Sequence, residues 1–126
     1  DEILIFRFDA ALTFANVPHF IKKLNIYENK KKSLKFVVIN AESIDSIDTT
    51  SLDAIKELAE KYKQNDIRMM ISCLKGPVRD QFKKTNMFQI IGEDNFFSSV
   101  SEAMRDIKGE QRLVDPKIAF QANPPK

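Results

Sequence analysis

Residues 35–62 read KFVVINAESIDSIDTTSLDAIKELAEKY, and this stretch decides the fold class. It opens with Phe36-Val37-Val38-Ile39, a continuous aromatic and β-branched run that is typical of a central strand covered on both faces. A polar loop follows, after which Asp48 or Thr49 can cap a helix. The apolar side chains of that helix recur at helical spacing, at Leu52, Ile55, Leu58, Ala59 and Tyr62. The stretch therefore predicts a buried strand followed by an amphipathic helix.

The alternation of strands and helices continues on both sides of this unit. Residues 3–8 and 12–14 predict two adjoining strands or a β-hairpin, and Asn16 is a good cap for the next helix. The apolar stripe of that helix consists of Val17, Phe20, Ile21, Leu24 and Tyr27. Further along, the sequence predicts a strand at 67–74, a helix at 78–84, a short strand at 87–91, and a last helix that carries Phe97, Val100, Met104 and Ile107 and stops at Gly109.

Strands that alternate with helices imply right-handed crossovers and a mostly parallel sheet. We therefore expect one α/β domain over residues 1–109. Residues 110–126 contain three prolines and no periodicity, so we expect an extended or disordered tail.

The composition excludes several kinds of chemistry. With one His, one Cys and three Gly in 126 residues, the chain has no histidine cluster, cysteine zinc site, internal disulfide or glycine-rich phosphate loop. A net charge of +2 lacks the basic excess of a nucleic-acid-binding domain. No apolar run exceeds four residues, whereas a membrane-spanning helix needs about 20. We therefore expect no catalytic residues, metal, cofactor or nucleic-acid partner. Because the chain begins at Asp1 without Met, we also expect it to be a piece of a larger protein.

A candidate site lies where the loop after the central strand enters its helix. Asp48, Thr49, Thr50 and Ser51 stand there, beside the free N–H groups and positive end of the helix. Ligands of open α/β sheets bind beyond the carboxyl ends of the strands, and the next such end brings Lys75. The cluster is either an anion- or nucleotide-binding site or an ordinary helix cap.

A second feature is a group of lysines with only Glu28 among them: Lys22, Lys23, Lys30, Lys31, Lys32 and Lys35. Such a surface is attracted to anionic lipid or to an acidic partner. The alternative is a solvated helix end, where lysine also suits the helix dipole.

Three segments of the chain resemble a STAS domain, the module shared by SulP-family anion transporters and bacterial anti-sigma factor antagonists. Residues 6–20 are similar to the opening of the SulP branch, and residues 47–55 to the family junction iDtSGlxaL. Residues 76–103 are similar to the family's later helices, including Gly92 and the run of Phe96 and Phe97. Together the segments span nearly all of residues 1–109.

The resemblance implies a sandwich with a mixed, mostly parallel sheet of four or five strands and about four helices largely on one side. It implies a non-catalytic regulatory or interaction domain of a SulP-type carrier of sulfate or a related anion, on the cytoplasmic face of a membrane, which we expect to be a bacterial inner membrane. The implied partners are the membrane domain of the same transporter, cytoplasmic regulatory proteins and a weakly bound nucleotide, with a dimer formed through the parent transporter.

The same resemblance leaves two alternatives open. In the antagonist branch a serine of the Asp-Ser-Ser-Gly junction is phosphorylated, and Thr50 matches it, with Ser51 in place of the usual Gly. The chain would then be a stand-alone anti-sigma factor antagonist switched at Thr50. The other alternative is a nucleotide- or anion-binding module that uses Asp48, Thr49, Thr50, Ser51 and Lys75.

Overall fold

The computed structural model describes residues 2–114, which form four strands and five helices. In chain order these are β1 (Ile3–Arg7), α1 (Val17–Asn29), β2 (Phe36–Asn40), α2 (Thr49–Gln64), β3 (Arg68–Ser72), α3 (Gly76–Lys84), α4 (Met87–Ile91), a 3₁₀ turn (Glu93–Asn95), β4 (Phe96–Phe97) and α5 (Val100–Val114).

The strands form one sheet in the order β1-β2-β3-β4, and every neighbouring pair is parallel. The register aligns Ile5 with Val38 and Val38 with Met70 across the three longer strands. Parallel neighbours bring the carboxyl ends of all strands to the same edge of the sheet. The loop into α2 and the loop into α3 therefore lie at that edge.

Each face of the sheet has its own apolar core. One side of the strands, including Val37, Ile39 and Ile71, packs under α1, α2, α3 and α4. The other side, including Val38 and Met70, packs under α5. The predicted α/β sandwich, with its mostly parallel sheet and most helices on one side, is confirmed.

Residues 12–14 do not form the second strand or hairpin that the sequence predicted. Leu12 makes only an isolated parallel bridge with Ile47. The reason is Asn16, whose side chain accepts from the Thr13 N–H at 2.8 Å and donates to the Ala11 carbonyl at 2.5 Å. These bonds fold the segment into a turn before α1.

The predicted strand at residues 87–91 is wrong, because these residues form the short helix α4. Met87 and Ile91 are both buried, one helical turn apart. A short apolar run does not distinguish a strand from a buried helical turn. The neighbouring strand is β4, so Phe97 belongs to the sheet rather than to the last helix.

The last helix does not stop at Gly109 but continues to Val114. Arg68 bonds to Asp106 at 2.6 Å and to Glu110 at 3.1 Å, on either side of the glycine. Residues 110–114 are therefore helical rather than extended, and the predicted tail from residue 115 onward lies outside the described residues. A domain boundary at residue 109 stays a prediction.

Candidate functional site

The predicted polar cluster lies at the carboxyl edge of the sheet, where Asp48 caps α2. One carboxylate oxygen of Asp48 accepts from the Ser51 N–H at 2.8 Å, and the other accepts from the Phe14 N–H at 2.7 Å. The bond from the Ser51 backbone is the main reason that the pKa of Asp48 lies below its usual range, and the Phe14 bond adds to it. Asp48 thus joins the start of α2 to the turn before α1.

The three hydroxyls beside Asp48 differ in accessibility. Thr49 and Thr50 are exposed, whereas Ser51 is completely buried. The Ser51 hydroxyl has no hydrogen-bond partner within residues 2–114, and its N–H is already bonded to Asp48. Ser51 is therefore enclosed, because the third residue of the helix turns its side chain inward, and its predicted role in binding an anion or nucleotide stays a prediction. Thr49 and Thr50 remain the accessible hydroxyls.

Lys75 comes to the same edge of the sheet, at the residue before α3. Its ammonium group lies 2.9 Å from a carboxylate oxygen of Asp45, in the loop that leads to Asp48. Both side chains are about half exposed or more, so this ion pair adds little stability. An anion at this edge could therefore exchange with Asp45 as the partner of Lys75 at little cost.

Phe14 is a site residue that the sequence reasoning assigned to a strand. Its side chain is 72% exposed, and its N–H binds Asp48. Its position depends on the return of the chain beside residues 46–48, where the Leu12 N–H donates to the Ser46 carbonyl at 3.0 Å. Local periodicity contains no signal for that pairing.

The predicted lysine group extends from the middle of α1, at Lys22 and Lys23, into the loop that follows the helix. Five of its members are exposed and Lys31 is half-buried. Lys35 lies 3.7 Å from a carboxylate oxygen of Glu2, and the Lys30 ammonium lies 5.2 Å from the centre of the Tyr27 ring. The structure therefore separates Lys30, Lys31, Lys32 and Lys35 from the start of α1 by the length of that helix, whereas Lys22 and Lys23 lie in its middle.

Two further features concern metal-binding clusters and membrane-spanning helices in the described part of the chain. Residues 2–114 contain no cluster of three or more His, Cys, Asp or Glu side chains arranged to hold a metal ion. None of the helices in that range has the length and apolar content to cross a membrane.

Comparison with known proteins agrees with this fold. The family model of the STAS domain matches residues 1–103. The probable sulfate transporter Rv1739c of Mycobacterium tuberculosis is 28% identical over 104 residues, which cover 82% of this chain and 19% of that protein. The chain thus spans about a fifth of the length of such a relative.

Two solved structures share the architecture. The SulP transporter STAS domain of Vibrio cholerae has a TM-score of 0.71 at 15% identity, with 87% of this chain and 84% of that chain covered. A putative anti-sigma factor antagonist of Thermotoga maritima has a TM-score of 0.73 at 20% identity, with 86% and 89% covered. The parallel sheet, its helical layers and the match over residues 1–103 together identify this chain as a member of the STAS domain family.

Proposed function

We propose that this chain is the regulatory and interaction domain of a SulP-type secondary transporter for sulfate or a related anion. The observation that carries the proposal is its similarity, over 82% of its length, to a fifth of a probable sulfate transporter. In this proposal the transport path lies in the membrane domain of the same protein. The STAS domain stands on the cytoplasmic face of a bacterial inner membrane and has no catalytic role.

The geometry suits a domain that works through contacts. Its sheet is covered on both faces, and its exposed hydroxyls, Thr49 and Thr50, stand at one edge on the first turn of α2. A cytoplasmic protein that binds this edge would contact a surface whose backbone is held by Asp48 and which carries the exposed Lys75–Asp45 pair. The membrane domain and a second copy of the transporter are the other partners that we propose.

The test is uptake of radiolabelled sulfate by a sulfate-uptake-deficient host that expresses the complete gene. Ile107→Asp places a charge in the buried core under α5, so it should unfold the domain and lower uptake. Lys56→Gln, on the exposed face of α2, is the matched control and should leave uptake unchanged. The proposal fails if the membrane-inserted protein moves no anion, or if Ile107→Asp leaves uptake at the control level.

A second candidate is a stand-alone anti-sigma factor antagonist, which is favoured by the exposure of Thr50 and by the fold of the Thermotoga maritima protein. A phosphate on Thr50 would add a charge of about −2 beside the Asp48 carboxylate. This repulsion would loosen the Asp48 bonds that join α2 to the turn at Phe14. Mass spectrometry of the protein from its native cells should then find phosphate on Thr50, and none on a Thr50→Val variant.

The third candidate is an anion- or nucleotide-binding module at the same edge. It is favoured by the nearness of Lys75, whose only ion pair in the described residues is the exposed one with Asp45. Titration with GTP and with sulfate should shift the backbone amide signals of Thr49 and Thr50 in nuclear magnetic resonance spectra. Unchanged signals at both residues would exclude this candidate.

A further inference from the structure

The part of α1 from Lys22 onward and the loop after it carry lysines around two exposed apolar side chains. We call this surface the basic corner; it consists of Lys22, Lys23, Ile26, Tyr27, Lys30, Lys31 and Lys32. Ile26 is 48% exposed and Tyr27 is 41% exposed. The Lys30 ammonium sits over the Tyr27 ring, so a positive charge and an aromatic surface are presented together.

Most of the charge of the basic corner is not neutralised by neighbouring carboxylates. Glu28, on the same helix, turns toward α2, where it accepts the Tyr62 hydroxyl and lies 3.6 Å from Lys61. Glu2 pairs with Lys35, outside the corner. Asp9 is held by Arg7 at 2.7 Å, which is the main reason that its pKa is lowered, and the charge of Lys23 adds to that effect. Within residues 2–114, the five lysines of the corner have no carboxylate within ion-pair distance. The surface is therefore complementary to a partner that is negatively charged.

The apolar side chains favour a lipid surface as that partner. A bilayer interface accepts an aliphatic side chain and an aromatic ring at the depth where lysine stems reach back to phosphate groups. Ile26 lies on the solvent side of α1, between Lys22 and Lys30, so one face of the helix can present all three at once. An acidic protein segment would satisfy the lysines but would leave Ile26 beside charged groups.

We propose that the basic corner docks this domain on a bilayer that contains anionic phospholipids. The inference deepens the proposed function and rests on it, because a domain of a membrane transporter stays close to a bilayer. Contact at this corner leaves Thr49 and Thr50, at the opposite end of α1, free for cytoplasmic partners. Docking would therefore fix which edge of the domain faces the cytoplasm.

Each lysine of the basic corner should strengthen binding to an anionic bilayer through its charge. A lysine near an anionic surface strengthens binding about fivefold. The attraction decays within a Debye length of about 8 Å at physiological ionic strength, so binding should weaken as salt is added. Removing three lysines should therefore reduce the apparent affinity at least about tenfold, even with partial contact.

The test is cosedimentation of the 126-residue chain with phosphatidylcholine vesicles, with and without about one third phosphatidylserine. We expect binding only to the anionic vesicles. The apparent affinity of the triple variant Lys30→Gln/Lys31→Gln/Lys32→Gln for these vesicles should be at least about tenfold lower than that of the wild type. The matched control, Lys56→Gln/Lys83→Gln/Lys84→Gln, removes the same charge from exposed positions elsewhere and should bind like the wild type. Ile26→Ser should weaken binding without changing its salt dependence.

Three outcomes would overturn the inference: no binding to anionic vesicles, an equal loss in both triple variants, or binding of a polyglutamate peptide in place of vesicles. The last outcome would assign the corner to an acidic protein. Circular dichroism of each variant checks that it is folded. The sulfate-uptake experiment is independent of vesicle binding, so failure of the docking inference is distinguishable from failure of the proposed function.

Discussion

At the scale of single residues, Asp48 joins two segments of the chain that are 34 residues apart. Its two carboxylate oxygens accept from two backbone N–H groups, one in α2 and one in the turn before α1. The sequence left the cap open between Asp48 and Thr49, both preferred cap residues, and the first of these bonds assigns it to Asp48. The second could not be predicted, since it depends on where the chain returns beside Leu12 and Ile47.

We predict that Asp48 makes stability depend on pH. Because its pKa is lower in the folded protein, its contribution is fully present above the unfolded pKa and is lost as the pH falls through the folded pKa. Asp48→Asn keeps one oxygen acceptor and removes the charge. At about pH 7 this variant should unfold at a lower urea concentration than the wild type. The difference between their unfolding midpoints should be smaller at about pH 3. A difference that stays constant across this range would contradict the role of the carboxylate.

A second residue-scale prediction concerns Tyr62, whose hydroxyl donates to Glu28 between α2 and α1. The Glu28 side chain is only 12% exposed, so Tyr62→Phe leaves a buried carboxylate without this donor. The free energy of unfolding at about pH 7 should fall by about 1–3 kcal/mol. The control is Tyr27→Phe, at the exposed tyrosine, and this substitution should leave the free energy of unfolding unchanged.

The Tyr62 pair also has a signature at high pH. Burial, and then the bond to Glu28, raise the pKa of Tyr62 above its ordinary value of about 10. A raised pKa stabilises the fold below the unfolded pKa, and this stability is lost as the pH rises toward the folded pKa. Chemical denaturation between about pH 9 and pH 11 should therefore show wild-type stability falling more steeply than that of Tyr62→Phe.

At the scale of elements, the sequence correctly predicted the helices and strands that are long enough to show a clear apolar pattern. The helix α2 carries five buried apolar positions over 16 residues, and β2 is apolar throughout its buried part, so both were predicted correctly. The helix α4 has only five residues, too few to show a period. The strand β4 has two, and it exists because β3 offers it a parallel edge.

Two glycines, Gly109 in α5 and Gly92 before the 3₁₀ turn, should respond in opposite ways to substitution by alanine. Gly109 lies inside the helix, and a methyl group there would meet no atom within 4 Å. Gly109→Ala should therefore raise the free energy of unfolding by about 0.5–1 kcal/mol. Gly92 has a φ of 107°, and a methyl group there would lie 2.8 Å from the Asn95 side-chain nitrogen. Gly92→Ala should lower the free energy of unfolding by about 1–3 kcal/mol.

Thermal or urea denaturation of the two glycine variants checks this pair. The same result for both would contradict the distinction between a helical glycine and one in the left-handed region. The sequence prediction stopped the helix at Gly109 because glycine is typical of helix ends. In the structure Arg68 of β3 bonds to Asp106 and Glu110 on either side of Gly109 and supports the continued helix. These are contacts between two elements, so the local sequence around Gly109 does not indicate them.

At the scale of the whole molecule, the parallel sheet gives the domain two different ends. Helices α1 and α2 run antiparallel to the strands, so the start of α2, with Thr50, lies at the carboxyl edge of the sheet. The loop at residues 30–35 lies at the amino edge of the sheet, where the Lys35 and Phe36 N–H groups donate to the Glu2 carbonyl at 2.8 and 2.9 Å. Topology alone therefore separates Thr49 and Thr50, which we call the hydroxyl edge, from Lys30, Lys31 and Lys32 of the basic corner.

This separation predicts that the two ends act independently. The 13 residues of α1 span about 20 Å, more than twice the Debye length of about 8 Å at physiological ionic strength. A charge placed at Thr50 is therefore screened from Lys30, Lys31 and Lys32, the lysines of the basic corner that follow α1. Thr50→Glu should bind anionic vesicles with an affinity within about twofold of the wild type at that ionic strength.

The matching substitution at the basic corner is Lys31→Glu, which places a negative charge among the lysines and should weaken vesicle binding by more than about fivefold. A large effect of Thr50→Glu would mean that a change at the hydroxyl edge reaches the corner through α1, and modification of Thr50 would then control docking. An unchanged affinity would mean that the domain can stay on a membrane while partners bind or leave its cytoplasmic edge. The vesicle assay at physiological salt decides between these two modes of regulation.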